Sequence, residues 1–550
     1  MLFSRTVRIK TQGTNMKVAE LFVKCLEREM TPFVFGIPGE ENLDLVDALA
    51  DSKIHFVLAR HEQAAAFMAD VQGRLTSRAS VCLSTLGPGA TNLVTAVADA
   101  NMDRAPLVAI TGQAGSDRLH KESHQVMDLV ALFRPMTKYT AQVVRGDVLP
   151  EIVRKAFKLA QTEKYGATHI DLPEDVARET VQGAPLVAQQ PKDPEPRTRQ
   201  VERAADAINR AKCPIMLAGN GAVRAKASAA LRRFVARTNI PCANTFMAKG
   251  LLRTEDPHSL FSVGLQVHDY VNCGFDRADC VITVGYDLVE YAPAGWNPNR
   301  DKTIVHVDRT PAEVDSHYQL ECGIEGDISL ALDELAERLT PRDSSTTVAS
   351  LRAMMLDEFH AASNNASFPL KPQRILYEVR KVLDDDGILV SDVGAHKLWI
   401  ARLYPCNEPN TCIISNGFAS MGIGLPGSIG AKLLYPDRQV LSISGDGGFV
   451  MNAHELETAV RCNCPVVAMV WRDDAYGSIK WKQEALFGRA SFVDFGNPDF
   501  AALARSFGCD GIRIESAGEL RPALTKAFQL RRPVVLECPV DYSETFVQPE

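Results

Sequence analysis

The 550-residue chain has no apolar run approaching the roughly 18 residues of a membrane-spanning helix, so no membrane partner is expected. It has no stripe of Lys and Arg interleaved with aromatics, and its net charge of -8 leaves no basic footprint, which excludes nucleic acid as an expected partner. No C-x-x-C spacing occurs among the 13 cysteines, so a zinc site is not expected; they read as reduced, mostly buried thiols of a cytoplasmic protein. Low-complexity repeats are absent. Residues 1–15, MLFSRTVRIKTQGTN, are basic, without acids, and lack the apolar core of an export signal. They read as a disordered extension ahead of Met16.

What is present is a globular enzyme's composition, 46% hydrophobic and 23% charged. At about 150 residues per domain the length implies three to four domains. Short apolar strands alternate with amphipathic helices, the pattern of parallel α/β sheets. Strands are expected at Val34 to Ile37, Val81 to Thr85, Leu107 to Thr111 and Thr168 to Leu172 in a first unit. A second has Pro214 to Ala218, Cys280 to Val284 and Ile304 to Val307. A third has Ile388 to Ser391, Cys412 to Ser415, Gln439 to Ser444, Pro465 to Trp471 and Pro533 to Cys538. Pro- and Gln-rich residues 183–198 and polar residues from 340 loosen the chain, giving domains at 16–182, 199–339 and 366–550, with linkers at 183–198 and 340–365. The fold class is α/β with three doubly wound parallel-sheet domains.

The most informative motif is Gly445-Asp446-Gly447-Gly448, entered from a strand and followed 27 positions after Asp446 by Asp473. Two carboxylates and a free carbonyl from two strand ends can hold Mg²⁺ against a diphosphate, since this hard cation takes oxygen ligands and commonly one or two carboxylates. Gly445 and Gly447 allow close backbone approach and φ > 0, and Asn452 to Arg461 reads as a helix whose N-terminus faces the anion. Alone, the motif is equally an ordinary βα turn.

Gly445 to Gly477, GDGGFVMNAHELETAVRCNCPVVAMVWRDDAYG, resembles the cofactor signature of the thiamine diphosphate enzymes. The resemblance implies Mg²⁺ bound by Asp446, Asp473 and the carbonyl of Ala475, with Asp474 standing where the family usually has Asn. Arg60-His61-Glu62-Gln63-Ala64-Ala65-Ala66 is similar to the helix start in which the family keeps the glutamate that hydrogen-bonds the cofactor's N1′. By the same resemblance, Pro38, Gly394, Ala395 and His396, then Gly417, Ser420 and Met421, the turn Gly445, Gly447 and Gly448, and Tyr476, Gly477, Ser478 and Ile479 contact the cofactor. Met421 is the residue that would bend it. The pyrimidine, central and diphosphate domains of the family are the expected architecture. Glu62 and Asp446 would meet across a subunit interface, in a homodimer or homotetramer.

Within the family, Gly87 of Thr85-Leu86-Gly87-Pro88-Gly89-Ala90, and Gln125 of His124-Gln125-Val126-Met127-Asp128, resemble the pocket of acetohydroxyacid synthases. Their hydrogen bonds would polarise the substrate carbonyl. The adjoining His pair of pyruvate decarboxylases is missing, with His120 and His124 four apart. Gly285-Tyr286-Asp287-Leu288-Val289-Glu290-Tyr291, Trp399-Ile400-Ala401-Arg402 and Pro539-Val540-Asp541-Tyr542 resemble the catabolic, flavin-free acetolactate synthases. FAD is therefore not expected, and Gly219-Asn220-Gly221 reads as a structural turn. No regulatory subunit is expected. Lys482 falls where the anabolic group has a Trp, with Trp481 one residue earlier. The implied reaction decarboxylates pyruvate and joins the hydroxyethyl group to a second pyruvate, giving 2-acetolactate and CO₂. Gln125, Ser478, Ile479 and Lys482 would line the acceptor side. A different 2-oxoacid decarboxylase or carboligase, a flavin-dependent pyruvate oxidase and a non-catalytic homologue remain the alternatives, and Glu40-Glu41-Asn42 has no interpretation at this level.

Overall fold

In a computed structural model the described residues are 14–188, 192–265, 269–343 and 346–544. They form two compact units, one of residues up to 188 apart from 74–77, the other of 74–77 and the residues from 192 onward.

The first unit contains β1 (Thr14–Lys17), β2 (Phe33–Gly36), β3 (His55–Leu58), β4 (Ser80–Ser84), β5 (Leu107–Gln113), β6 (Tyr139–Gln142), β7 (Ala167–Pro173) and β8 (Thr180–Gly183). Six of these make a parallel sheet in the order β3-β2-β4-β5-β7-β6, while β1 and β8 pair antiparallel. Helix Val18–Arg28 buries Val18, Leu21, Phe22, Cys25 and Leu26, one stripe at helical spacing. That stripe packs with Val34, Val81, Leu83, Val108 and Ile110 of the sheet and with Val153 and Phe157 of helix Leu149–Ala160. Central strands β4, β5 and β7 are buried along their whole length, as expected of a parallel sheet covered on both faces.

The second unit carries two more parallel sheets. One contains β9 (Pro214–Ala218), β10 (Cys242–Asn244), β11 (Ser259–Ser262), β12 (Cys280–Val284), β13 (Thr303–Asp308) and β14 (Leu320–Glu325), in the order β11-β10-β9-β12-β13-β14. The other contains β15 (Ile388–Ser391), β16 (Cys412–Ile414), β17 (Val440–Gly445), β18 (Val467–Arg472), β19 (Asp510–Arg513) and β20 (Val534–Pro539), in the order β16-β15-β17-β18-β20-β19. Counting strands within each sheet, this last order repeats that of the first unit. The two sheets of this unit are tied together by buried polar contacts. Arg402 pairs with Asp269 at 2.7 Å and Glu358 at 2.6 Å, and Lys249 Nζ donates to the Ala401 carbonyl at 2.9 Å.

Three boundaries differ from the sequence reading. Thr14 and Asn15, assigned to a disordered extension, belong to β1, whose backbone pairs with β8 from Thr14↔Gly183 to Lys17↔Thr180; residues 1–13 lie outside the described residues. Residues 340–365, read as a linker, include helix Thr346–Ala361, which buries Met355 and Phe359. The helix placed at Asn452 to Arg461 is two, Asp446–Met451 and Glu455–Arg461, so helical structure starts at the Asp446 turn itself.

Candidate active site

In an open parallel sheet ligands bind beyond the carboxyl ends of the strands, where the strand order reverses. In the first unit this reversal lies between β2 and β4, and the loops that follow them are Ile37 to Glu40 and Thr85 to Gly87. Glu62 opens helix Glu62–Thr76 and is buried. Asn92 Nδ2 donates to Glu62 Oε2 at 2.9 Å, and a Cβ on Gly89 would lie 3.3 Å from Oε1. Gly87 has φ of +52°, and a side chain there would meet Gln125 Cβ at 2.9 Å and its carbonyl at 3.0 Å. Gly87 and the exposed Gln125, itself at φ +60°, are thus packed backbone to backbone. Pro38 is exposed at the end of β2.

Glu41 now has an explanation. Its carboxylate is buried and accepts the Thr85 hydroxyl at 2.8 Å, so it fixes the first residue of the Gly-Pro-Gly loop. Asn42 accepts from the Gly39 amide at 2.9 Å and donates to the Ile37 carbonyl at 3.2 Å, whereas Glu40 is exposed. The Gln125 loop is held from behind. Gln113 Nε2 donates to the Met127 carbonyl at 3.2 Å and to Asp171 Oδ2 at 3.4 Å, while Gln142 and Thr111 donate to Asp171 at 2.8 and 2.7 Å. Burial pushes Asp171 up to about 6 against these three donors.

In the C-terminal sheet the reversal lies between β15 and β17. The loop after β17 starts at Asp446, whose Oδ2 accepts the amides of Asp473 (3.2 Å) and Asp474 (2.7 Å) and Asn497 Nδ2 (2.8 Å), and whose Oδ1 accepts the Gly447 amide (2.8 Å). Oδ2 thus carries three hydrogen bonds and Oδ1 only one, so Oδ1 is the oxygen with a lone pair left for a cation. Burial, and then the Asp446 carboxylate, push Asp473 up to about 8; Asp446 is itself raised by burial. A buried and a half-buried acid that repel each other in this way would fit a divalent cation as countercharge. Asp474 is exposed and accepts from Arg472 at 2.9 Å and from Asn497 Nδ2 at 2.7 Å, the same nitrogen that donates to Asp446. Ala475 is buried and bridges Asp494, with the neighbouring Tyr476 amide donating to the Val493 carbonyl. Among the described residues no group of three or more His, Cys, Asp or Glu side chains is placed to hold a metal ion.

Asp392, at the end of β15, is the other organising carboxylate. Its Oδ1 accepts the amides of Val393 (2.6 Å) and Gly422 (2.8 Å) and its Oδ2 that of Gly424 (3.2 Å). Burial raises it to about 6 and those amides hold it down. With Asn452 Nδ2 on the Gly422 carbonyl at 2.8 Å and the Ser420 amide on Ser415 Oγ at 3.1 Å, it fixes the segment Gly417 to Met421. His396 follows Gly394 and Ala395 and is 2% exposed; burial lowers it to about 3, so the ring is neutral, and its Nε2 makes no hydrogen bond within the described residues. Gly445 has φ of -69°, so glycine serves closeness there rather than unusual dihedrals: a Cβ would lie 3.3 Å from His396 Nδ1. Gly448 packs as closely on Asp392, a Cβ there lying 3.1 Å from Oδ1. Tyr476 caps helix Gly477–Phe487 and meets Phe495 edge-on at 4.9 Å. Ser478, the exposed Ile479 and the exposed Lys482 lie on that helix, and Trp481 turns into the core against Tyr542 at 5.4 Å.

The sequence matches three thiamine pyrophosphate enzyme domains: the N-terminal TPP binding domain at residues 16–132, the central domain at 201–335 and the C-terminal TPP binding domain at 392–538. The chain belongs to the thiamine pyrophosphate enzyme family. It is 37% identical to an acetolactate synthase of Bacillus subtilis (strain 168), over 96% of this chain and 93% of that one. A catabolic acetolactate synthase of Raoultella terrigena is 36% identical (96% and 95% covered), and the large subunit of acetolactate synthase isozyme 1 of Escherichia coli (strain K12) is 32% identical (96% and 94%). Of the polar contacts that shape this family site, sequence reasoning missed Asn92, Asp392 as an organiser, Asn452 and Asn497. Only Asp392 carried a hint, standing two residues ahead of Gly394 and four ahead of His396.

Removing the Asn497 amide takes one of four hydrogen bonds from Asp446, and where a carboxylate ligates a metal such orienting residues typically contribute about 10- to 100-fold in affinity. Asn497→Ala is therefore expected to raise the Mg²⁺ concentration needed for thiamine diphosphate binding by that factor, measured by titration. Asp171 keeps a proton in the folded chain that an unfolded carboxyl loses near pH ~4. Its stabilising contribution is complete below that pH and is lost as the pH rises through about 6. Asp171→Asn should flatten the pH dependence of thermal stability across this window, and an unchanged slope would show that Asp171 is not proton-linked.

Proposed function

We infer that the chain is an acetolactate synthase, a thiamine diphosphate-dependent carboligase that converts two molecules of pyruvate into 2-acetolactate and CO₂. The observation that carries this reading is the pairing of Gly87 with Gln125 in a unit that also buries Glu62, within a chain similar to acetolactate synthases over nearly its whole length. Thiamine diphosphate supplies, when bound, a nucleophilic carbon and an electron sink for decarboxylation.

The residues then have separate tasks. Asp446 and Asp473, with the Ala475 carbonyl, hold Mg²⁺ and through it the diphosphate. Gly394, Ala395, His396 and the Gly445 to Gly448 turn accommodate phosphate, a neutral imidazole donating one hydrogen bond. Glu62 holds a proton at N1′ of the aminopyrimidine, with Asn92 keeping its carboxyl oriented. Gln125 donates to the oxygen of the incoming 2-oxoacid, where charge develops. Met421, on a segment pinned at both ends, sets the bend of the cofactor.

Flavin has no part in this reading. The turn Gly219-Asn220-Gly221, where a dinucleotide's phosphates would approach the central sheet, has its Asn220 amide already bound by the Glu290 carboxylate at 3.0 Å. Homodimers or homotetramers are expected: Phe418, Met451, Tyr476, Ile479, Phe487 and Phe492 are exposed on the segments that carry the diphosphate half of the site or follow it, apolar surface that a second copy would cover. No regulatory subunit is needed for the chemistry, and a cytoplasmic location suits reduced thiols; among the described residues no helix is long and apolar enough to cross a membrane.

Mass analysis of products from pyruvate, with and without 2-oxobutyrate, tests the assignment: 2-acetolactate is expected and acetaldehyde alone would replace it with simple decarboxylation. The protein should purify colourless. Glu62→Gln should lower turnover by at least about 100-fold, the usual worth of a positioned proton donor or acceptor, with an unchanged circular dichroism spectrum.

A further inference from the structure

Each of the three parallel sheets has one point where strand order reverses, and two of these carry the half-sites described above. The third, between β9 and β12 of the central sheet, is filled by the chain itself. Glu290 is 7% exposed and its carboxylate lies across the gap. The Asn220 amide donates to both of its oxygens at 3.0 and 3.1 Å, the Asp287 amide to Oε1 at 3.2 Å, and the Thr245 hydroxyl to Oε2 at 2.5 Å. The two loops are in close contact: a Cβ on Gly219 would lie 2.5 Å from the Gly285 carbonyl oxygen, and one on Gly221 2.7 Å from Gly285 Cα. Burial and the neighbouring Asp287 push Glu290 up to about 7, opposed by Thr245, the Asn220 amide and Arg224.

The same residue reaches the other sheet through its main chain. The Glu290 carbonyl accepts Asn416 Nδ2 at 2.9 Å, and Asn416 directly precedes Gly417 to Met421. Lys397, next to His396, donates to Asn416 Oδ1 and to the Ser415 carbonyl, each at 3.3 Å.

We propose that Glu290 is a positioning residue for the thiamine diphosphate site: anchored by its carboxylate where a nucleotide phosphate would otherwise sit, it presents its carbonyl to Asn416 and so sets the Gly417 to Met421 segment. The central sheet thereby acts on the reaction without a bound nucleotide, using a carboxylate of its own as a fixed internal ligand. Glutamine can make most of the same contacts, whereas alanine leaves the Asn220 amide and Thr245 hydroxyl without this acceptor and frees the loop. The proposal rests on the reading that Gly417 to Met421 holds the cofactor.

The test uses the full chain and its variants Glu290→Gln, Glu290→Ala, Asn416→Ala and Glu290→Ala/Asn416→Ala. Thiamine diphosphate affinity in saturating Mg²⁺ is read by quenching of intrinsic tryptophan fluorescence, alongside Tm and the KM for pyruvate. Glu290→Ala and Asn416→Ala are each expected to weaken the cofactor by about tenfold, the equivalent of one lost hydrogen bond. The double variant should be no weaker than either single one, Glu290→Gln should restore near-normal affinity, and the KM should stay unchanged at saturating cofactor. Additive losses, or a lower Tm with unchanged cofactor affinity, would overturn the proposal. If Glu290→Ala does not fold, Asn416→Ala decides it, and wild-type affinity there overturns it. Failure of the unsubstituted chain to bind thiamine diphosphate would instead overturn the reading of the site.

Discussion

The carboxylate of Asp446 is the constraint on which the C-terminal half of the site depends. It sits where β17 stops, and its two oxygens collect three main-chain amides and the Asn497 side chain. Those amides belong to the ends of two adjacent strands, so one side chain fixes the separation of β17 from the loop after β18. Asp473 is consequently held beside Asp446, which a pair of like charges would not adopt unaided. The hydrogen bonds of the surrounding backbone maintain the arrangement.

A parallel sheet gives this geometry its general form. Crossover connections bring successive loops to the same end of the sheet, and the reversal of strand order leaves two of them apart. The first unit and the C-terminal sheet share one strand order. In one, the reversal brings the Pro38 and Gly87 loops to the same crevice; in the other, it brings the Asp392 and Asp446 loops together. The central sheet has the same kind of crevice, closed by Glu290. Similar backbones thus end in three different contents, because the loop side chains differ.

The strands legible in the sequence are those buried on both faces. Cys280 to Val284, Val440 to Ile443 and Val534 to Leu536 are mostly apolar and buried throughout, and were found to within a residue or two. The strands missed are mostly at sheet edges: β3, β6, β14 and β19 carry exposed or half-buried residues and polar side chains, so no apolar run announces them. The helix Thr346–Ala361 falls within the residues assigned to a linker, because Ser and Thr at its start read as a loose connection, although a helical stretch was expected ahead of β15. Asp446, Asp473 and Glu62 stood out in the sequence because they lie in short runs that resemble the family's motifs. Asn92, Asn452 and Asn497 did not, because an asparagine becomes significant only through the group it meets. Trp481 shows the converse, a conspicuous residue that packs into the core.

The sequence by itself determined the fold class, which follows from local periodicity, and the family, which follows from the resemblance of its motifs. Only the tertiary structure decided what Glu41 and Glu290 contact, and that Asp474 is exposed and pairs with Arg472 and Asn497. Each of these acids is set by a partner distant in sequence: Glu41 by Thr85, Glu290 by Asn220 and Thr245, Asp474 by Asn497. A carboxylate's role depends on its burial and on the donors around it, and those are properties of the packed chain rather than of any stretch of it.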